Sequence, residues 1–374
     1  MLSIRPRAWA LAWLAVSSTC SGGERPRDVA GPSVARAEFV ATVLTPVWRA
    51  TEIHEPIFFI DEPGSARPTG KLLFKPTEVL SITSGTRAIT FEPAQDYAVD
   101  LANGTISLPP DSRIPVTTLE HLYPLMTSDL PKIARRSGDR TRGIFFDEGS
   151  AYHKLQVDVT YRCQPGQWPG PTPQYALESL PRTIAKFGHK RPVKLLLCGD
   201  SISTGANSSL FTNVPPHCPG FGALIALALE SHFGSKVTFI NMAIGGTTSA
   251  DGLQLAQEIR NGKVQPDLVL MAFGMNDVYY HRDAAAFQAN VRGMMDRIRA
   301  DAPEVEFILV ASMLANDERG MPMKQFSLNR DALAELCGPG VALADMTTIR
   351  AEMLKSKSYY DHTGNGVNHT NDFG

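Results

Sequence analysis

Leu195-Leu-Leu-Cys-Gly-Asp-Ser-Ile-Ser203 decides how this chain is read. Val193 to Cys198 is a short apolar run rich in Leu, bounded by Pro192 and Gly199. A run of that length and composition suits a strand buried on both faces of a parallel sheet. It ends in Gly199-Asp200-Ser201, which puts a serine hydroxyl at the carboxyl end of a central strand, where open α/β sheets hold their ligands. Alone, Gly-Asp-Ser is as compatible with a simple turn or cap. Its meaning depends on the rest of the chain.

Downstream, strand patterns at Val193–Cys198, Val237–Asn241, Leu268–Ala272, Glu306–Val310 and Val341–Ala344 alternate with helical patterns. The helices are expected over Gly220–Phe233, Ala250–Arg260, Asp283–Ala300 and Lys324–Leu336. Strands that alternate with helices of this length imply parallel pairing and right-handed crossovers. The expected fold class is α/β: a flavodoxin-like three-layer α/β/α sandwich, strand order 2-1-3-4-5, over residues 193–374.

Upstream the period changes to two. Pro56–Ile60, Lys71–Phe74, Glu78–Ile82, Ala88–Phe91 and Lys154–Tyr161 all read as strands. Asn103-Gly104, between Tyr97–Leu101 and Thr105–Leu108, predicts a hairpin with a type I′ turn. Residues 38–163 are therefore expected to form a smaller β-sandwich or jelly-roll domain, either a platform or a carbohydrate-binding or substrate-gating module. Trp48, Tyr161 and Trp168 offer rings that stack on sugars or fill a core. Residues 164–192, with Pro165, Pro169, Pro171, Pro173 and Pro181, read as a semi-stiff linker.

The first residues read as a signal peptide and leader, residues 1–37. Arg5 and Arg7 precede the apolar run Ala8–Val16 and the small residues Ser17, Ser18 and Thr19. The run is too short for a membrane-spanning helix, which needs about 20 apolar residues. Cys20 invites a lipid anchor, but Ser17 stands where bacterial lipoprotein signals carry Leu. The expected location is secreted or periplasmic, with no integral membrane segment in the mature chain. Of the five cysteines none forms a Cys-x-x-Cys pair, which disfavours a zinc cage. Cys163 and Cys218 are the candidates for a disulfide, and Cys198 reads as a core residue. A net charge of −2 over 374 residues offers no broad positive field, so nucleic acid is not an expected partner.

Four features fall just past successive strands or near the end: Ser201, Asn241-Met-Ala-Ile-Gly-Gly246, Gly274-Met-Asn276-Asp277, and Gly364-Asn-Gly-Val-Asn-His369. All would meet at the carboxyl edge of one sheet. Acyl transfer needs this set: a serine nucleophile, a histidine base, and donors for an oxyanion. The Ser201 and Gly246 amides and the Asn276 side chain supply three donors. Asp200 reads as a shaper of the nucleophile turn.

These blocks resemble the SGNH (GDSL) hydrolase superfamily, and with the β region they are similar to its two-domain carbohydrate esterases. Gly199-Asp200-Ser201, Gly246, Gly274-x-Asn276-Asp277 and His369 match its four blocks. The resemblance implies a serine esterase with Ser201 and His369 catalytic, a Ser201/Gly246/Asn276 oxyanion hole and no metal or organic cofactor. Its implied substrate is a small-molecule or polysaccharide ester, with short acyl groups, above all acetyl, favoured. Lipase, lysophospholipase and thioesterase activities belong to the same fold, and a catalytically silent carbohydrate-binding protein is the non-enzyme alternative. One departure stands out. The family places Asp three residues before the histidine, and here that residue is Gly366. Either a Ser201–His369 dyad works with a backbone carbonyl on Nδ1, or another acid reaches in, Asp361 being the nearest upstream candidate. The family's His loop also leads into a final helix that this sequence does not show, so the loop is expected to lose packing and fray.

Overall fold

The computed structural model describes residues 44–261 and 264–374. The stretch read as a signal peptide and leader, with Cys20, lies outside the described residues. At the centre is a parallel sheet of Val237–Asn241, Val193–Gly199, Leu268–Ala272, Glu306–Ala311 and Val341–Asp345, in that spatial order. In chain order this is 2-1-3-4-5, as the alternation of patterns predicts.

Alternate side chains of the serine strand face opposite layers. Leu195 and Leu197 pack with Leu180, Phe187 and Ala226, from helices Pro181–Gly188 and Phe221–Phe233 and their approach. Leu196 and Cys198 pack on the other side with Leu255, Ile259, Phe287, Met294 and Ile298. Those belong to helices Ser249–Asn261 and Ala284–Arg299. Both faces being covered explains why the strand carries apolar residues without alternation.

The stretch read as a linker holds a helix. Pro181 starts Pro181–Gly188, where its missing N–H costs nothing. The buried Glu306 carboxylate accepts hydrogen bonds from the Arg182 and Thr183 amides, at 3.0 and 2.7 Å. A negative charge there also suits the helix dipole. The proline-rich residues before it hide this because only about two amphipathic turns follow them.

In the N-terminal region Glu52–Phe58, Gln156–Cys163, Pro76–Ser84 and Thr90–Phe91 form an antiparallel sheet. Thr69–Lys71, Thr105–Ser107 and Ala98–Asp100 form a second. Ile57, Phe59, Leu72, Phe74, Ile82, Ile106 and Val159 share one core. The hairpin at Asn103-Gly104 is present, but its turn is not type I′. Asp100 pairs with Thr105, leaving four residues in the loop, and of these only Gly104 has positive φ, 64°. The Asp100 carboxylate accepts from the Ala102 and Asn103 amides and the Asn103 side chain, and so organises a longer turn.

Tyr161 is fully buried, its hydroxyl donating to Glu55 at 2.6 Å, so it is a core residue rather than a sugar platform. Trp48 and Trp168 are half-buried against each other, centroids 6.4 Å apart. Cys163, Cys198, Cys218 and Cys337 are free, so the disulfide considered for Cys163 or Cys218 does not form among the described residues. Cys198 is buried in the core as expected. No helix of the described residues is long and apolar enough to cross a membrane.

Candidate active site

Gly199 ends the serine strand because nothing larger fits. A Cβ there would lie 2.2 Å from Ser203 Oγ and 2.6 Å from the Ala272 carbonyl. The chain then turns into the single helical turn Ser201–Thr204, capped by Asp200, whose carboxylate accepts from the Ile202 amide at 3.0 Å. Burial pushes the Asp200 carboxyl up to about 7. Asp200 thus shapes the turn, as expected.

Ser201 Oγ lies 2.8 Å from His369 Nε2. The Ser201–His369 pair that the sequence places on one rim therefore comes into hydrogen-bonding contact. The glycine loop follows the second strand: the Met242 and Ile244 amides donate to the Leu197 and Gly199 carbonyls. Gly246 has φ +78°, and a Cβ on Gly245 would stand 3.8 Å from Ser201 Cβ. Asn276 Nδ2 donates to the Thr247 carbonyl at 2.9 Å, next to Gly246. One of its two amide hydrogens is thereby used and the other remains for an oxyanion. Asp277 is buried and accepts from the Ser249 amide and hydroxyl, locking the third loop to the start of the preceding helix Ser249–Asn261. Gly245 and Gly246 are exposed, so the serine opens to solvent on this side.

The far side of the imidazole corrects the expectation. Asp361 does not reach His369. Its carboxylate accepts from the Phe58 and Ser358 amides, at 2.8 and 2.9 Å, and lies 3.4 Å from the Lys357 ammonium. Burial pushes its carboxyl up, against the pull of Lys357. Nor does a backbone carbonyl hold Nδ1. Asn207 Oδ1 does, at 2.7 Å.

The orientation of that amide is fixed by its other end. Asn207 Nδ2 faces the carbonyls of Gly149 and Gly364 at 3.1 and 3.3 Å, with that of Asp147 at 3.5 Å. A donor must meet those acceptors, so Oδ1 must face the imidazole. Nδ1 then carries the proton and Nε2 is free to accept the serine's. Asn207 sits at φ +62°, a conformation asparagine tolerates better than most residues. A Cβ on Gly364 would come 2.5 Å from Asn207 Cβ, so that glycine permits the close approach.

Glu148 Oε2 lies 3.1 Å from the same Nδ1. Glu148 belongs to the turn between strand Gly143–Phe145 and helix Ala151–Leu155 of the N-terminal region. The sequence reading missed both residues. Asn207 sits only six positions past Ser201, in a loop with a positive-φ asparagine, and no local pattern distinguishes it. Glu148 has no signal at all, because its contact exists only after the two regions fold together.

The His loop is packed rather than frayed. Asn365 Oδ1 accepts from the amides of Val367, Asn368 and His369. Gln156 donates to the Tyr360 and Thr363 carbonyls, and Asn316 to that of Gly366. His369 itself is 6% exposed. The N-terminal region, through Gln156, gives the loop the support its sequence alone does not promise.

A family model of GDSL-like lipases/acylhydrolases matches residues 197–374. Over these residues, a little under half of the chain, the sequence is similar to that family. Among solved structures the chain is similar to TesA at 26% identity, covering 38% of this chain and 72% of that one, TM-score 0.31. It is also similar to a two-domain esterase active on acetylated mannans, at 20% identity over 52% of this chain and 50% of that one, TM-score 0.42. This chain thus spans about half the length of that esterase. A catalytic mutant of an acetylxylan esterase from Geobacillus stearothermophilus matches at 18% identity, over 46% and 84% of the two chains, TM-score 0.35. Among curated proteins none matches.

Proposed function

We propose that this chain is an SGNH hydrolase, an exported serine esterase that removes short acyl groups, acetyl above all, from carbohydrate. The observation that carries the reading is the relay Ser201 Oγ–His369 Nε2 at 2.8 Å with His369 Nδ1 anchored at 2.7 Å on Asn207. Ser201 Oγ attacks the ester carbonyl as its proton passes to Nε2. The amides of Ser201 and Gly246 and the Asn276 side chain receive the oxyanion, and loss of one such donor typically costs about 10²–10³ in rate. Collapse expels the alcohol, which takes the proton from His369. Water then attacks acyl-Ser201 with His369 again as base, releasing the acid and restoring the serine.

An apolar cavity of about 380 Å³ borders the nucleophile turn at Ile202, Ser203 and Ala206, but neither Ser201 nor His369 lines it. Export rests on Arg5, Arg7 and the apolar run after them. The N-terminal strands are read as a small β-sandwich whose first task is to cover the His loop.

Hydrolysis of p-nitrophenyl acetate by wild type and Ser201→Ala tests the proposal, followed by a panel of acyl lengths and acetylated glycans. Wild-type turnover that drops at least about 10³-fold in the variant is expected. Equal background rates would sink the enzyme reading, and cleavage of long-chain esters alone would sink the deacetylase.

A further inference from the structure

We propose that Glu148, carried by the N-terminal region, is the positioning residue that supplies negative charge to His369, in the place left by the missing aspartate at Gly366. The inference rests on the ester-hydrolase reading of Ser201 and His369 and adds a role for the second region.

The first support is geometric. When His369 takes the serine proton it becomes a cation, and a neutral amide such as Asn207 orients that ring without balancing its charge. The only carboxylate oxygen described within hydrogen-bonding range of the ring is Glu148 Oε2, 3.1 Å from Nδ1. Its other oxygen accepts from Asn365 Nδ2 at 3.3 Å, which ties the carboxylate to the His loop itself. Asn207 and Glu148 thus divide what one aspartate does elsewhere: the amide fixes the tautomer, and the carboxylate provides the charge.

The second support is steric and explains why position 366 is glycine. Gly366 has φ +88°, and a Cβ on it would lie 2.3 Å from Tyr152 Oη and 2.4 Å from the Phe145 carbonyl. Tyr152 and Phe145 flank the Glu148 turn and are hydrogen-bonded to each other at 2.7 Å. The region that excludes an aspartate from its usual place is the one that delivers Glu148.

Electrostatics agree. Partial burial acts to raise the Glu148 carboxyl, but the hydrogen bond and charge of His369 outweigh it and leave the group below its usual value. Glu148 is therefore an anion at neutral pH. Its side chain is 46% exposed, so solvent screens part of the charge. The acids next in sequence to the site residues are otherwise engaged: Asp200 accepts from the Ile202 amide, Asp147 from the Ala151 amide and Asp372 from the Ser209 amide.

Glu148→Gln keeps the shape and removes the charge, while Glu148→Ala removes both. With p-nitrophenyl acetate, Glu148→Gln should lower kcat about tenfold with KM within twofold. The acid limb of its kcat/KM profile should move to lower pH by about one unit. Glu148→Asp should recover part of the loss. Because the site is open to solvent, formate should raise the rate of Glu148→Ala and leave Ser201→Ala unchanged. A structural role would move neither the pH limb nor the formate response. Proton NMR gives an answer that needs no turnover: a downfield His369 Nδ1–H signal, absent in His369→Ala, should shift upfield in Glu148→Gln. An active wild type with an unmoved limb, no formate rescue and an unmoved resonance in these folded variants would overturn the role of Glu148 alone. An inactive wild type would instead strike at the esterase reading, and the resonance would still decide the partnership.

Discussion

Restoring the family's aspartate by Gly366→Asp should damage this protein rather than improve it. The residue would have to hold φ near +88°, which costs a non-glycine residue about 1–2 kcal/mol. Its Cβ would overlap Tyr152 Oη and the Phe145 carbonyl, at 2.3 and 2.4 Å, and both residues are buried in the cluster with Phe58 and Tyr360. Forcing extra atoms into such packing costs about 1–3 kcal/mol. The sum, about 2–5 kcal/mol, corresponds to a fall in Tm of roughly 3–6 °C for a chain of this size. The Gly366 carbonyl also accepts from Asn316, so the shift would propagate to His369 three residues on. A displacement of about 1 Å there is worth on the order of 10² in rate. Thermal melts and p-nitrophenyl acetate kinetics on wild type, Gly366→Asp and Gly366→Ala check this. The two variants should melt alike, since the Cβ and the backbone are at fault. A Gly366→Asp protein as stable as wild type and equally or more active would refute the packing account.

Buried charges set two further outcomes. Lys357 is fully buried, with its ammonium 2.8 Å from Glu55 and hydrogen-bonded to the Pro56 and Lys71 carbonyls. Burial alone would lower its pKa, but Asp361 and Glu55 outweigh that and hold it raised. Lys357→Met would strand the two carboxylates and should cost about 3–5 kcal/mol in urea unfolding; a loss under about 1 kcal/mol would show that the pair contributes little. Asp200 gives a pH dependence with a definite sign. Its folded carboxyl is raised from 3.8 to about 7, so the folded state holds the proton longer than the unfolded chain. Its contribution is complete below about pH 4 and is lost as pH rises through 7, by up to about 4 kcal/mol. Asp200→Asn retains an acceptor for the Ile202 amide and does not titrate, so its Tm should gain on wild type from pH 4 to pH 8. Parallel Tm curves for the two proteins would exclude the raised carboxyl.

The sequence by itself determined the parallel sheet, its strand order, and which residues stand at its carboxyl edge. Val237–Asn241 and Leu268–Ala272 run between the residues that their patterns indicate, because apolar periodicity and glycine at a tight turn are local properties. Ser201 and His369 were legible for the same reason: each sits in a short block whose chemistry is readable without its partners. Tertiary structure decided what holds the histidine. Asn207, Glu148 and the demand for glycine at 366 arise where a turn of the N-terminal region, the nucleophile loop and the His loop meet. Contacts between segments far apart in the chain depend on how whole regions pack, and no period or spacing records them. The same holds for Asp361, whose carboxylate looked free to reach His369 in the sequence and is instead committed to the Phe58 and Ser358 amides.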